Sequence, residues 1–152
     1  MSNLLNSQKT TFVPNEKLKK EWVLVDAKDQ ILGRVASRIA YRVMGKHRVD
    51  FTNHQDNGDY VVVINAKHIK VTGKKLEDKE YKEHSQYPGG LSITSLKEKL
   101  ERSPTYALRK AVQRMLPKGP LGRKLMTHVR FYEDEKHDQH SQKPKPIEVA
   151  YR

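Results

Sequence analysis

The run Tyr60-Val-Val-Val-Ile-Asn-Ala66 constrains the fold more than any other part of this sequence. A strand with one solvated face alternates apolar and polar side chains, whereas this run is β-branched at consecutive positions. It therefore predicts a strand buried on both faces, as in a parallel sheet that helices cover. A second stretch, Trp22-Val-Leu-Val-Asp-Ala27, is apolar at both parities and predicts another such strand.

A helix is predicted between these two strands, from Ile31 to Met44. Its apolar residues recur at helical spacing and form one stripe: Leu32, Val35, Ala36, Ile39 and Val43. Asp29 is the expected N-terminal cap, and Gly45 is expected to end the helix. Strand, helix and strand at this spacing predict a βαβ unit with a right-handed crossover.

The pattern is weaker between the second strand and residue 102. Ile69–Thr72 is a candidate short strand before a turn at Gly73–Lys75, and residues 76–90 give little signal. Ser95 with Glu98 predicts a capping box that opens a short helix ending at Arg102.

A second helix is predicted to start at Ser103-Pro104, with Ser as its cap and Pro in its first turn. Its expected buried stripe is Leu108, Ala111, Val112 and Met115. Pro117 is expected to end this helix, and a Pro/Gly loop is predicted over 118–124. A short helix over 124–130 and a strand over 129–132 are expected to follow.

The length of 152 residues suits one domain with a modest core. Residues 1–20 predict a flexible polar arm, residues 21–132 the α/β domain, and residues 133–152 a polar tail. The arm has no apolar segment of the kind found in signal peptides, and no apolar run is long enough to span a membrane. Cysteine is absent, which excludes disulfides, Cys-ligated zinc and a thiol nucleophile.

Basic residues are concentrated in two segments that contain no carboxylate. The chain has a formal net charge of +12, and eight Lys or Arg lie between Arg102 and Tyr132. Such a block would repel itself unless a polyanion lay nearby. The second segment runs from Arg34 to Arg48, where Arg34, Arg38 and Arg42 follow one helix edge over roughly 12 Å. A helix face that is merely solvated ordinarily mixes Lys and Arg with Glu. Binding to nucleic acid is therefore favoured over a solvated face.

Three interpretations suit the segment Lys118-Gly-Pro-Leu-Gly-Arg-Lys124. Its glycines would let the backbone approach a phosphate, with Lys118, Arg123 and Lys124 supplying charge. A nucleotide-binding P-loop fits poorly, because the spacer, the Gly-Lys-Ser/Thr ending and the preceding strand are missing. A KH-type glycine loop fits poorly as well, and a connector with incidental charge is the remaining alternative.

Catalysis and metal binding have no positive support in the sequence. The pair in His137-Asp-Gln-His140 could chelate a metal but has no evident third ligand, so a solvated or RNA-contacting pair is favoured. Asp56 and Asp59 could bind a cation, although a turn into the following strand explains them better. No cofactor, metal or small-molecule substrate is therefore expected, and the chain is not expected to be an enzyme. The eleven aromatic residues are not interleaved with the basic runs, which favours folded RNA over a loose single strand.

Several motifs occur in a fixed order along the chain: Trp22-Val-Leu-Val-Asp-Ala27, Leu32-Gly-Arg-Val-Ala36, Gly45-Lys-His47, Asn57-Gly-Asp-Tyr-Val-Val-Val-Ile-Asn-Ala66, Val71-Thr-Gly-Lys74 and Met115-Leu-Pro-Lys-Gly-Pro-Leu-Gly-Arg123. Together they resemble the large-subunit ribosomal protein L-thirteen family. The resemblance implies a three-layer α/β/α fold around a small, mostly parallel sheet. It also implies a structural, non-catalytic role: binding and stabilising folded large-subunit (23S) rRNA early in subunit assembly, beside neighbouring large-subunit proteins. A cytoplasmic ribosome of bacterial type is the expected location, with an organellar ribosome as the alternative.

The residues expected to contact RNA come from the resemblance and from the basic segments together. The resemblance implies Arg34, Lys46, His47, Lys74, Arg114, Lys118 and Arg123. The basic segments and the turn add Arg38, Arg42, Arg48, Lys75, Arg109, Lys110, Lys124 and Arg130. One alternative function is regulation by binding mRNA or other RNA away from the ribosome. Another is a nuclease or RNA-modifying enzyme, which would need clustered acids or a cofactor loop.

Overall fold

The computed structural model of the protein describes residues 13–14 and 18–147. The predicted arm, apart from residues 13–14 and 18–20, lies outside the described residues, as do residues 148–152 of the predicted tail. The elements in chain order are β1 (Trp22–Asp26), α1 (Leu32–Met44), β2 (Tyr60–Ile64), α2 (Lys75–Asp78), β3 (Glu80–His84), β4 (Leu91–Ser95), α3 (Leu96–Arg102), α4 (Tyr106–Met115), α5 (Pro120–Thr127), β5 (Val129–Phe131) and β6 (Lys145–Pro146), with 3₁₀ turns at Ala66–His68 and His140–Gln142.

A four-stranded parallel sheet in the order β5-β2-β1-β6 forms the centre of the fold. β1 and β2 lie side by side, with Trp22 opposite Tyr60 and Asp26 opposite Ile64. Side chains of both parities on β2 are buried, Val61 and Val63 as well as Val62 and Ile64, so both faces of this strand are covered. The predicted α/β class is confirmed, and the arrangement agrees with the expected three-layer architecture.

Helix α1 packs its apolar stripe against one face of the sheet, as predicted. Its buried residues from Val35 to Val43 join Val23, Val25, Val61 and Val63 in the main core, whereas Leu32 belongs to a second cluster. Each fully buried aliphatic side chain contributes about 1.5–3 kcal/mol. Gly45 ends the helix as expected, because its left-handed φ of 81° suits a residue without a Cβ.

The predicted cap of α1 was wrong. Asp29 adopts a left-handed φ of 59°, and its carboxylate lies 2.7 Å from Nζ of Lys70 instead of at the helix start. The N–H of Leu32 donates to the carbonyl of Lys70 at 2.8 Å. A single parallel bridge between Ile31 and Lys70 is all that replaces the strand predicted over Ile69–Thr72.

The segment before residue 96, where the sequence pattern is weak, contains an antiparallel hairpin, β3–β4, that the sequence did not predict. Tyr81 on β3 is buried, and its ring meets that of Tyr106 edge-on at 5.3 Å between centroids. Ser95 caps α3 as predicted, since its Oγ accepts a hydrogen bond from the N–H of Glu98 at 3.3 Å.

Two details of the predicted second helix were wrong. Thr105, rather than Ser103, precedes α4, and no side chain caps this helix. Met115 is 42% exposed, whereas Leu116 is buried. The reason is that the helix ends at Met115 and the backbone is extended at Leu116, so the Leu116 side chain enters the core in place of Met115. Leu108 and Val112 are buried as predicted.

The segments after residue 117 also differ from the prediction. Residues 120–127 form helix α5, so most of the predicted Pro/Gly loop and part of the predicted 124–130 helix belong to one element. Strand β5 follows at Val129–Phe131, close to the predicted strand. Within the predicted tail, Lys145 and Pro146 pair in parallel with β1 and form the edge strand β6. In the part of the chain that the structure describes, no helix is long and apolar enough to cross a membrane.

Candidate nucleic-acid interface

Helix α1 carries three arginines at four-residue steps along one edge. Arg34 and Arg38 are exposed, and Arg42 in the last turn is half-buried. Arg38 and Arg42 also line a hollow of about 170 Å³ beside Ile147, next to the β6 edge of the sheet. The three guanidinium groups therefore follow one edge of the helix as predicted, and the last of them, Arg42, lies beside Asp59 of the loop that follows the helix.

That loop, residues 45–59, lies directly on the end of α1 because its glycines leave no side chain in the contact. A Cβ on Gly58 would lie 1.7 Å from the carbonyl oxygen of Val43, closer than two atoms can approach. The N–H of Asp59 donates to the carbonyl of Arg42 at 3.3 Å. This backbone contact brings the Asp59 carboxylate beside the basic end of the helix.

Asp59 is buried and gathers three of the predicted RNA-binding residues, an arrangement named here the Asp59 cluster. Its Oδ1 accepts a hydrogen bond from Nη2 of Arg48 at 2.8 Å, and its Oδ2 lies 2.9 Å from Nε2 of His47. Arg42 Nη1 stands 3.9 Å from the same Oδ2. Arg48 also donates to the carbonyl of Lys19. Asp59 directly precedes β2, where the turn was expected, and its carboxylate also pairs with these basic side chains.

Asp56, three residues earlier in the loop, forms a second group of this kind, the Asp56 cluster. Its Oδ2 lies 2.7 Å from Nζ of Lys20, 3.3 Å from Nζ of Lys124 and 3.4 Å from Nε2 of His128. Lys124 remains two-thirds exposed, so the loop connects α5 to the end of α1 while this ammonium group still faces solvent.

Burial sets the protonation of the two histidines. Desolvation lowers the pKa of His128, and the opposing attraction of Asp56 does not restore it. Desolvation likewise lowers the pKa of His47, with Asp59 opposing and Arg42 and Arg48 reinforcing the shift. Burial by itself would raise the pKa of Asp56, yet the ion pairs with Lys20, His128 and Lys124 outweigh it and hold that pKa below its usual value. Both histidines are therefore neutral at neutral pH.

Aromatic rings fill the amino-terminal edge of the sheet next to the Asp56 cluster. Trp22 and Tyr60 stack at 4.6 Å between centroids, with an interplanar angle of 14°. The centroid of the His128 ring lies 4.6 Å from that of the Tyr60 ring. Nζ of Lys20 lies 5.6 Å from the centroid of the same Tyr60 ring. The sequence pattern did not predict this grouping, because its residues come from three separate parts of the chain, around the starts of β1, β2 and β5.

The strongest concentration of exposed basic residues lies where α4 meets α5. A groove of about 310 Å³, the α4–α5 groove, is lined by Gln113, Arg114, Leu116, Pro117, Lys118, Gly119, Gly122, Arg123 and Met126. Three of these residues are basic and exposed, and none is acidic. An adjoining hollow is lined by Arg109 and Lys110 together with Glu83 and Tyr106, and it shares Gln113 and Met126 with the groove. The structure thus brings together five of the predicted residues from the signature segment and the helix before it.

Two glycines determine the shape of this groove. Gly119 has φ 110° and ψ −166°, a conformation that is essentially restricted to glycine, and it directly precedes α5. A Cβ on Gly122 would lie 1.7 Å from the carbonyl oxygen of Pro117, so the connector rests directly on the helix. Pro120 occupies the first turn of α5, where its missing N–H costs nothing.

The other predicted residues lie apart from the groove or at its border. Lys75 shares a mainly apolar hollow with Arg114, between the start of α1 and helices α3 and α4. Lys46, Lys74 and Arg130 are exposed. The hollow with Arg38 and Arg42 shares no residue with the α4–α5 groove. The basic residues therefore occupy at least two surfaces, which the 45–59 loop joins.

The predicted histidine pair of the tail forms a local contact. The rings of His137 and His140 stack at 4.2 Å between centroids, and His137 also lies 6.2 Å from the Tyr132 ring. Among the described residues, no group of three or more His, Asp or Glu is placed to hold a metal ion.

A comparison with protein families matches residues 20–138 to the family described as "Ribosomal protein L13". The match covers every element from β1 to β5, including the Asp56 and Asp59 clusters and the α4–α5 groove. The chain belongs to the ribosomal protein L13 family.

Curated relatives support the assignment over nearly the full length. The chain is 49% identical over 142 residues to the large ribosomal subunit protein uL13 of Nitratidesulfovibrio vulgaris, which covers 93% of this chain and 99% of the relative. It is 50% identical over 141 residues to that of Methylobacillus flagellatus, covering 93% and 97%. It is 44% identical over 149 residues to that of Thermotoga petrophila, covering 98% and 100%. The resemblance seen in the sequence motifs is confirmed, and the chain is an L13 protein of the bacterial type.

Sequence reasoning missed the residues that organise the L13 site. The roles of Asp56, Asp59 and Lys20 depend on contacts between elements far apart in the sequence. The apolar lining of the α4–α5 groove, including Met126, was missed because the predicted loop over 118–124 left the helix α5, and its packing beside α4, unrecognised. One local feature could have indicated this part of the site. In Asp56-Asn-Gly-Asp59, two carboxylates flank a glycine directly before a buried strand.

Proposed function

We propose that this chain is a structural constituent of the large ribosomal subunit that binds and stabilises folded 23S rRNA. The α4–α5 groove carries this proposal. Most of its lining belongs to the family's signature segment, and its exposed Arg114, Lys118 and Arg123 face solvent without a carboxylate among the lining residues. Guanidinium and ammonium groups bind phosphate through charge-assisted hydrogen bonds, and releasing counterions from RNA drives such binding.

Rigid placement of the basic groups supports binding to RNA without help from other proteins. Arg42, His47 and Arg48 are held by Asp59, and Lys124 is held by Asp56. Side chains that are already positioned lose less conformational entropy on binding. This is the basis for proposing that the chain binds early in assembly, before its neighbours among the large-subunit proteins.

The proposed partners are thus 23S rRNA and adjacent large-subunit proteins, on a ribosome in the cytoplasm. The proposed role is structural, since the groove has cations and apolar groups but no candidate acid or base for catalysis. Binding and organisation of RNA require nothing more than the groups described.

Sedimentation of a cell extract tests this function. The tagged chain should migrate with 50S subunits and remain bound after a wash at high salt, because a constituent is enclosed by rRNA on assembly. A regulator acting on mRNA would instead sediment with free or messenger RNA and leave the subunits in that wash. Mixing the purified chain with naked 23S rRNA tests early binding, since a late-binding protein would need other proteins to be present.

A further inference from the structure

The α4–α5 groove has an apolar floor that phosphate binding alone does not require. Leu116, Pro117 and Met126 line it together with the amide side chain of Gln113. We propose that this groove receives one unpaired nucleotide of the RNA, with its base in the groove and its phosphate at the basic rim. The inference rests on the proposed RNA-binding function and specifies which feature of the RNA is recognised.

The size of the groove fits a single nucleotide. Its volume of about 310 Å³ lies at the lower end of the range for small-ligand pockets, about 300–1,000 Å³. A base inside a duplex is stacked above and below and cannot enter a concave site without leaving the helix. The occupant is therefore a nucleotide from a bulge, loop or junction.

The charge around the groove fits the phosphate of that nucleotide. Arg114 lies in the last turn of α4, Lys118 lies in the connector, and Arg123 lies in the first turn of α5. The N–H groups of Leu121 and Gly122 precede the first intrahelical bond, which runs from Arg123 to Gly119, so the helix itself leaves them without acceptors. An anion at this end of α5 is further favoured by the helix dipole.

The lining also offers the contacts by which proteins hold unstacked bases. A planar guanidinium such as that of Arg114 can stack on a base, and the Gln113 amide can both donate and accept hydrogen bonds along its edge. Gly119 and Gly122 fix the walls, because the first has a glycine-only backbone conformation and the second has the Pro117 carbonyl directly against it. The groove is therefore a preformed site.

Filling the groove without changing charge tests the proposal. The variants are Gln113→Trp and, as an independent filler, Met126→Phe. The matched control is Ser92→Trp, which places the same indole side chain on exposed β4. Binding is measured to 23S rRNA transcribed in vitro and to a fully paired RNA duplex, and thermal unfolding establishes that each variant is folded.

The groove-filling variants should bind 23S rRNA about 5- to 150-fold more weakly than the parent chain, since stacking one base is worth about 1–3 kcal/mol. Their duplex binding and the salt dependence of rRNA binding should not change. Ser92→Trp should behave like the parent chain. If the folded fillers keep full affinity for 23S rRNA, the groove takes no base and the proposal is overturned while RNA binding stands. If the parent chain binds 23S rRNA no better than the duplex, the proposed function fails and this inference fails with it.

A photo-crosslinking side chain at position 113 gives a second test that does not depend on affinity. It should crosslink 23S rRNA at a single nucleotide that is unpaired in the free RNA. Crosslinks distributed along both strands of a helix would overturn the proposal, because they would mean that the groove rests on a duplex.

Discussion

Arg48 donates a hydrogen bond to Asp59 at 2.8 Å inside the protein, although this arginine belongs to an acid-free stretch that the sequence assigned to RNA. Asp59 is 2% exposed, and the Arg48 side chain is 18% exposed. The basic charge of this family member is therefore partly structural, since buried carboxylates fix some cations while others face solvent.

Replacing Asp59 by Asn should lower the free energy of unfolding by about 3–5 kcal/mol, the cost of leaving a buried partner charge uncompensated. Arg48 and Arg42 would lose the charge that neutralises them. Urea unfolding measures the change. The control is Asp29→Asn, whose ion pair with Lys70 is more than half exposed at both ends, so this change should destabilise the protein far less than the change at Asp59. Equal losses in the two variants would mean that Asp59 is not a buried anchor.

Gly58 and Gly33 should respond oppositely to alanine. At Gly58 the added Cβ would meet the Val43 carbonyl at 1.7 Å, so the loop must move and thermal stability should fall sharply. At Gly33, in α1, nothing lies within 4 Å, and alanine should stabilise by up to about 1 kcal/mol through its helix propensity. Thermal unfolding of both variants measures these changes relative to the parent chain. A Gly58→Ala protein as stable as the parent chain would contradict the described packing of the loop.

Stability should fall as the pH drops from about 7.5 to 5. His128 and His47 have a lowered pKa in the folded protein, whereas the unfolded chain takes up protons near the ordinary value of 6.5. The unfolded state then binds more protons, so the stabilisation is complete above 6.5 and is lost below it. The Asp56 contribution is lost at lower pH, below its ordinary value of 3.8.

The control for this pH dependence is His128→Gln, which keeps a polar side chain of similar length but does not titrate. Urea unfolding at several pH values should show a shallower decline for this variant between pH 7.5 and 5. The same slope in both proteins would show that His128 titrates alike in the folded and unfolded states.

Removing Lys118 and Arg123 together should weaken binding to 23S rRNA and leave stability within about 0.5 kcal/mol, because both side chains are exposed. For each phosphate that the variant no longer binds, the slope of log affinity against log salt should fall by about 1. Lys67→Ala with Lys97→Ala removes the same charge from exposed positions elsewhere. If this control pair weakens binding equally, net charge rather than the groove governs affinity.

The sequence predicted the βαβ centre because burial on two faces and helical spacing leave clear patterns in β2 and α1. It missed the β3–β4 hairpin, whose Glu80–His84 strand has one buried residue and four charged or polar ones. It also missed α5, because proline and glycine close together ordinarily indicate a loop. Here Pro120 starts the helix, and Gly122 lies against the carbonyl group of Pro117. Strand β6 leaves no periodic signal in the sequence, because it consists of only Lys145 and Pro146.

The basic residues of the candidate site could be predicted from charge, but their arrangement could not. Asp56 and Asp59 acquire partners from the chain before β1, from α1, from the 45–59 loop, from α5 and from the residue before β5. These contacts exist only after folding, so local sequence gives no indication that Arg48 or Lys124 is held by an acid.

The salt dependence of affinity for 23S rRNA tests the central claim most directly. If roughly six to ten phosphates are contacted, the affinity of the purified chain should fall about 10³- to 10⁵-fold between 50 and 200 mM salt. An affinity that stays the same across this range would contradict the account, because binding would then not depend on the basic surfaces.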